Sequence, residues 1–446
     1  MVDVIKDLDK KVVELASYVE EKKESPNSGE IKEVDFKGLG EPIKLGEVKN
    51  IKEYSTDFSN NIVFAFKSIN KVKIGLNPEN YSKLSKVCED ILLSLDEFKN
   101  YATLRFIEEI VFDWVCDYYI EKEFSVSPIE CLKNELKKDL NTYSYYYVIN
   151  FLGIERNFSV GRASIFCADK KYIQKERIEA ALKDEEFYKM MDYIKDKIVL
   201  KVDFKGVQDR AEQLAKIESK LIVNTLRMFL IEESMDKNAE LPILEYVSIT
   251  TGFMSSYLCK YEENDFNKWT VSMQRAEHGS GYPVTIGDAK LSKMSKNGLA
   301  IVTNFLKIND NTEIGFIIKN TINKIGDISV TDDFHERIVK VISVLESVFL
   351  ARKKGRGKGL STMKSNFIPK IFEGDLKERV SKILINYYNI RDKYLHNGIR
   401  LKIDQEEYYL FQKLMNVLTM KLLELRQVYN YSTESELLQY FDIDLD

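Results

Sequence analysis

Residues 387–398 read Tyr387-Tyr388-Asn389-Ile390-Arg391-Asp392-Lys393-Tyr394-Leu395-His396-Asn397-Gly398. Asn397 and Gly398 are helix-stopping residues, because glycine enters the left-handed conformation that closes a helix without a Cβ penalty. The stretch therefore predicts the last turns of a helix over 375–396, with Arg391 and His396 five residues apart at its end. Five residues turn an α-helix by about 500°, or about 140° net, so the two Cβ atoms do not share a face. Convergence of the two side chains requires the length of the Arg, a distorted last turn, or a second copy of the helix facing the first.

Around this stretch the apolar spacing is helical from Thr312 onward. Helices are expected over 312–325, 332–352, 375–396 and 404–428, with Ile338, Ile342, Leu345 and Phe349 on one buried stripe and Leu414, Val417, Leu418 and Leu422 on another. Without strand patterns between them they predict an all-α bundle over 311–446. The N-terminal region, 1–235, reads as α+β. It opens with an amphipathic helix over 3–23, followed by two half-buried strands in NIVFAFKSI and KVKIG. Helices are expected after Asn77-Pro78, over 101–121, after Ser127, over 174–195 and over 211–229. The β-rich runs TYSYYYVINFLGIE and FSVGRASIFCA, split by Glu155-Arg156-Asn157, predict a second sheet segment or hairpin, and a further strand is expected over 198–204. Residues 236–310, which include His278 in a glycine-containing loop, carry no motif and read as a connecting region.

Composition excludes broad chemistry. The 446 residues carry 66 Lys+Arg against 71 Asp+Glu, a formal charge of −5, so contact with nucleic acid must come from a local patch. Five cysteines without a CxxC pair suggest neither a disulfide framework nor a zinc cluster, and a reducing cytoplasm is the expected location. The chain lacks a run of apolar residues long enough to span a membrane and a signal-like N-terminus, so no membrane partner is expected. No HExxH, GxSxG, Walker or dinucleotide motif occurs, and no metal or other cofactor is expected.

The chain has only three histidines: His278, His335 and His396. His335 follows Asp333 at a helix start and reads as structural or solvated. His396 lies in the 387–398 stretch, and with Arg391 it suits RNA phosphodiester cleavage. A neutral imidazole can take the 2′-hydroxyl proton, an imidazolium can protonate the leaving 5′-oxygen, and a guanidinium can stabilise the charged phosphorane. The partial negative charge of a helix C-terminus favours the imidazolium form. By spacing alone the pair is more often a solvated Arg and a capping His.

The C-terminal ~130 residues resemble an HEPN domain, nearest the ApeA-like branch. The likeness is carried by the Val344-Leu345-Glu346-Ser347 helix, a basic connector, a short helix, NIRDKYLHNGIR and a long closing helix. Arg391, Asp392 and His396 fit the family's R-x4–6-H pattern, which often has a polar residue after the Arg. The resemblance implies a helical bundle that dimerises, so that two motifs form one metal-independent ribonuclease site. It further implies phage defence or toxin-like growth shutdown, with an N-terminal region that senses or recruits a phage-derived or regulatory partner. Some members only bind or dimerise, so a non-catalytic scaffold is the competing expectation. Glu346, in an otherwise apolar helix segment, falls near where the resemblance puts a polar residue that faces the site and orients Arg391, with a surface Glu on an amphipathic helix as the competing reading; Tyr394 within the motif and Asn397 after it are supporting residues. Arg352, Lys353, Lys354, Arg356 and Lys358, with Lys364 and Lys370, give the window 351–370 seven cations and no acid. That strip is either an RNA-attracting surface or a solvated loop.

Overall fold

In the computed structural model of the protein the described residues are 2–23, 52–56, 61–69, 72–122, 125–179, 185–230, 239–244, 246–248, 253–263, 266–275, 282–308, 310–331, 333–349 and 359–442. They divide into two compact units, Met1–Tyr143 with Phe204–Gln213, and Ser144–Asp203 with Leu214–Asp446. This division departs from the expected breaks at 235 and 311. Residues 144–203 belong with the C-terminal helices rather than with the N-terminal residues.

The first unit contains α1 (Val2–Leu15), β1 (Glu20–Lys23), β2 (Lys52–Thr56), β3 (Ile62–Ile69), β4 (Val72–Leu76), α2 (Pro78–Ser94), α3 (Asp96–Tyr101), α4 (Leu104–Glu121) and α5 (Pro128–Asp139). Its four strands form an antiparallel sheet in the order β1-β4-β3-β2. Leu8, Val12, Leu84, Ile91, Val111 and Leu132 meet in one core between the helices. The starts at Asn77 and Ser127 are built as the sequence predicts, their side chains accepting from the amides of Asn80 and Glu130, which satisfies donors that the first turn leaves open; the helix expected over 101–121 starts later, at Leu104, where the Thr103 side chain accepts from the Phe106 amide. The expected first helix ends early. After Leu15 the chain makes a 3₁₀ turn, and Glu20–Lys23 pairs with β4 instead.

The second unit adds β5 (Asn141–Asn150) from Ser144 onward, β6 (Leu152–Ile154), β7 (Phe158–Val160), β8 (Ala163–Cys167), α6 (Lys170–Glu179), α7 (Glu185–Ile194), β9 (Ile198–Gly206) as far as Asp203, and α8 (Gln208–Phe229) from Leu214 onward. There follow β10 (Ala239–Glu240), β11 (Ile243–Leu244), β12 (Tyr246–Ser248), β13 (Phe253–Glu263), β14 (Phe266–Arg275) and β15 (Tyr282–Ile286). The larger sheet runs β12-β13-β5-β9-β8-β7, with β11 on β5 and β14 on β13, while β10-β15-β6 forms a smaller one with parallel pairings. Tyr145, Tyr146, Tyr147, Val148 and Ile149 are all buried, so β5 is covered on both faces.

The hairpin turn here is Gly161-Arg162, between β7 and β8, rather than Glu155-Arg156-Asn157. Gly161 has φ +57°, and a Cβ there would meet Leu306 Cβ at 2.8 Å, so both conformation and space require glycine. The polar triplet serves another purpose: Glu155 accepts from the Asp288 amide and Arg156 pairs with the Asp288 carboxylate. The helix expected over 174–195 proves to be the two helices α6 and α7. The region that carried no motif contains the β13–β14 hairpin.

The helical half comprises α9 (Asp288–Met294), α10 (Ala300–Lys307), α11 (Glu313–Ser329), α12 (Phe334–Phe349), the short α13 (Gly359–Thr362) and α14 (Ile368–Ile371), α15 (Gly374–Asn397), α16 (Gln405–Gln427) and α17 (Glu434–Tyr440). α11 packs on α12 and α16, and α15 packs on α12 and α16. Buried Asp310 ties the start of α11 to the end of α16: it accepts from the Thr312 amide and hydroxyl and from Arg426 Nε at 2.6 Å. The chain is thus an α+β N-terminal region followed by a helical C-terminal half. Among the described residues no helix is long and apolar enough to cross a membrane.

Candidate active site

The motif lies where the sequence predicts. α15 is regular through Arg391 to Asn397 and ends at Gly398 with φ +66°. The Gly398 amide bonds the Tyr394 carbonyl and the Ile399 amide bonds that of Lys393, a left-handed helix stop of the expected kind. A distorted last turn is therefore not the route to convergence. With ordinary helix geometry Arg391 and His396 point about 140° apart and stand about 7.5 Å apart along the axis.

Arg391 turns inward onto α12. Its Nη2 donates to both Glu346 oxygens, at 3.0 and 3.2 Å, and its Nη1 donates to Asp392 Oδ1 at 2.9 Å. The pair with Glu346 is partly buried, the two side chains keeping 22% and 26% of their exposure. The guanidinium also lies 5.5 Å from the Tyr388 ring centroid, a cation–π contact between side chains three residues apart on the helix. Burial, and next the Glu346 charge, push the Tyr388 phenol above its usual range, so it stays neutral at physiological pH. Arg391 Nε is buried with no hydrogen-bond partner among the described residues.

His396 faces the other way. It is exposed and makes no hydrogen bond among the described residues. By helical spacing it shares one exposed face of α15 with Ile385, Asn389 and Asp392. Leu395 and Ile399 beside it are large apolar side chains left in water. Tyr394 is half-buried against the His335 ring at 5.3 Å, with Arg400 over its face at 5.7 Å. Asn397 is exposed in the final turn.

His335 is structural, one of the two roles the sequence allowed it. Its Nε2 lies 3.0 Å from the Leu401 carbonyl and its amide donates to Asp333 Oδ1. Burial opposes charge on Asp333, but the amides of His335 and Glu336 and the Arg400 guanidinium outweigh it and hold the carboxyl below the usual range. Asp333–Arg400 and His335–Leu401 together fix the segment after α15 against the start of α12.

The structure thus joins Arg391, Asp392 and Glu346 into one cluster and leaves His396, Tyr394 and Asn397 outside it. The missed member is Tyr388; its signal was its place one turn before the Arg. His278 and the strip Arg352, Lys353, Lys354, Arg356 and Lys358 lie outside the described residues. Lys364 and Lys370 of the same window are exposed. No three His, Cys, Asp or Glu side chains gather as a metal-ion set among the described residues. No protein-family model, no curated protein and no solved structure matches the chain.

Proposed function

We propose that the chain is an HEPN-type, metal-independent endoribonuclease of phage defence or toxin-like growth shutdown, acting as a homodimer whose two motifs complete one site. The carrying observation is the split within the motif. Arg391 is anchored inward on Glu346, while His396 stands free on an exposed face bearing Ile385 and, beside it, Leu395 and Ile399. With Arg391 held on Glu346 the two side chains of one helix diverge, and a second copy packed against α15 would supply the complementary group. Exposed apolar residues beside a reactive imidazole suit such a contact.

In the composite site one imidazole removes the 2′-hydroxyl proton as the 2′-oxygen bonds to phosphorus. The other, protonated, gives its proton to the 5′-oxygen as the P–O5′ bond breaks, leaving a 2′,3′-cyclic phosphate and a 5′-hydroxyl. Arg391 offsets the phosphorane charge. Two carboxylates now share its single charge, so phosphate binding requires Asp392, 53% exposed, to swing away while Glu346 keeps the guanidinium oriented.

The same ion cluster favours a second reading, a non-catalytic dimerisation and nucleic-acid or partner-binding scaffold. An Arg already satisfied within its own bundle can serve packing alone. Labelled RNA incubated in EDTA with wild type and His396→Ala separates the two. Cleavage by wild type alone supports the nuclease; intact, retained RNA with both supports the scaffold.

A further inference from the structure

Tyr388 carries a hydroxyl that the resting arrangement does not use. Its side chain is buried where α12 and α15 pack together, and its Oη is buried without a hydrogen bond among the described residues. A buried O–H that lacks an acceptor leaves its desolvation uncompensated, so phenylalanine would fill the same space at lower cost. Packing alone therefore gives no reason for a tyrosine at this position.

The reason lies beside it. Burial, and next the Glu346 charge, hold the phenol in its neutral form, so Tyr388 stands as an unspent donor in the field of that carboxylate. Both Glu346 oxygens are now taken by a single nitrogen, Arg391 Nη2, at 3.0 and 3.2 Å. That is a looser hold than two parallel N–H···O bonds, and one oxygen can be given up while the other stays bonded. Leu345 and Val348 on either side of Glu346 are buried, and among the described residues no second cation pairs with it. Once the guanidinium moves, nothing but the Tyr388 hydroxyl stands ready to restrain the carboxylate.

We propose, on the ribonuclease reading above, that Tyr388 is a positioning residue whose hydroxyl bonds one Glu346 oxygen as Arg391 turns to the phosphate. Asp392 leaves Nη1, the phosphate takes its place, Nη2 keeps one Glu346 oxygen, and the Tyr388 O–H takes the other. The carboxylate then does not follow the guanidinium, and Arg391 reaches the phosphorane from a fixed point. Tyr388 touches neither the phosphate nor the reacting oxygens and acts through Glu346.

The test compares full-length wild type, Tyr388→Phe, Glu346→Gln and the double variant for kcat and KM on labelled RNA in EDTA, with melting temperatures alongside. Tyr388→Phe should melt no lower than wild type, because it deletes a hydroxyl that bonds nothing at rest. It should lower kcat about tenfold, as loss of one hydrogen bond to a charged group implies, and leave KM within about twofold. Added to Glu346→Gln, it should change kcat by less than about twofold, because its effect passes through that carboxylate. A wild-type kcat in Tyr388→Phe, a loss that recurs undiminished beside Glu346→Gln, or a loss that tracks a lower melting temperature would each overturn the assignment while leaving the ribonuclease reading intact. Absence of cleavage by wild type would remove that reading, and the role of Tyr388 with it.

Discussion

Glu346 holds Arg391 on α12 through partly buried contacts at 3.0 and 3.2 Å, and the strength of that hold can be measured. At about 4 Å between charge centres and an effective dielectric near 20, the gross attraction is about 4 kcal/mol. Desolvation of both groups offsets much of it. Exposed pairs yield about 0.2–1 kcal/mol and hydrogen bonds to charged groups about 1.5–3. With about a quarter of each side chain still in water, a coupling of about 1.5 kcal/mol follows. Glu346→Gln removes the charge and keeps the shape; Arg391→Gln removes the guanidinium and its contact with Tyr388. Urea denaturation of both single variants and the double, followed by far-ultraviolet circular dichroism, closes the cycle. Arg391→Gln should be the more damaging single change, at about 2–3 kcal/mol, because it leaves Glu346 half-buried without its cation. A coupling below about 0.3 kcal/mol would refute the view that Glu346 positions Arg391.

Two glycines should fail for different reasons. At Gly326, in α11, a Cβ would fall 2.3 Å from Asn224 Cβ. Gly326→Ala should therefore lose about 2 kcal/mol net by overpacking, although alanine gains up to about 1 kcal/mol of helix propensity. Gly398 has φ +66° with nothing within 4 Å of a Cβ, so Gly398→Ala should cost only the left-handed backbone penalty, about 1 kcal/mol; denaturant midpoints check both. Burial opposes charge on Asp310, but the Thr312 hydroxyl and amide and the Arg426 guanidinium outweigh it, and its carboxyl titrates below the usual range. Its contribution is complete above the unfolded-state value of about 3.9 and is lost as pH falls through the lower folded-state value. Wild type should accordingly lose stability below about pH 4, and Asp310→Asn should flatten that part of a melting-temperature profile against pH.

Local signals carried the helical half. Thr312 and Asp404 cap α11 and α16 through the amides of Gly315 and Glu407, and Gly398 closes α15, so spacing and caps agreed with the packing. Tertiary pairing overrode them elsewhere. Glu20–Lys23 is helix-forming in composition, yet β4 takes it as an edge strand. Residues 266–275 do carry a strand signal, the alternation Trp269-Thr270-Val271-Ser272-Met273-Gln274, whereas 253–263 mixes its polar and apolar residues less regularly, and the left-handed kink at Gly298 interrupts the helical pattern between α9 and α10. Within the motif, helical spacing foretold that Arg391 and His396 diverge. That Glu346 would hold Arg391 was an expectation of the family resemblance, which the helix pattern alone left open to a surface Glu, whereas the contribution of Tyr388 depends on a side-chain approach that spacing alone does not fix.

One experiment weighs the nuclease against the scaffold: wild type and His396→Ala compared for RNA cleavage in EDTA and for growth arrest on expression, with dimer mass and melting temperature measured alongside. Since His396 is exposed and unbonded among the described residues, its truncation should change stability by no more than about 0.5 kcal/mol. If the nuclease reading holds, cleavage and growth arrest vanish in His396→Ala while dimer and fold persist. Undiminished cleavage by His396→Ala would contradict it.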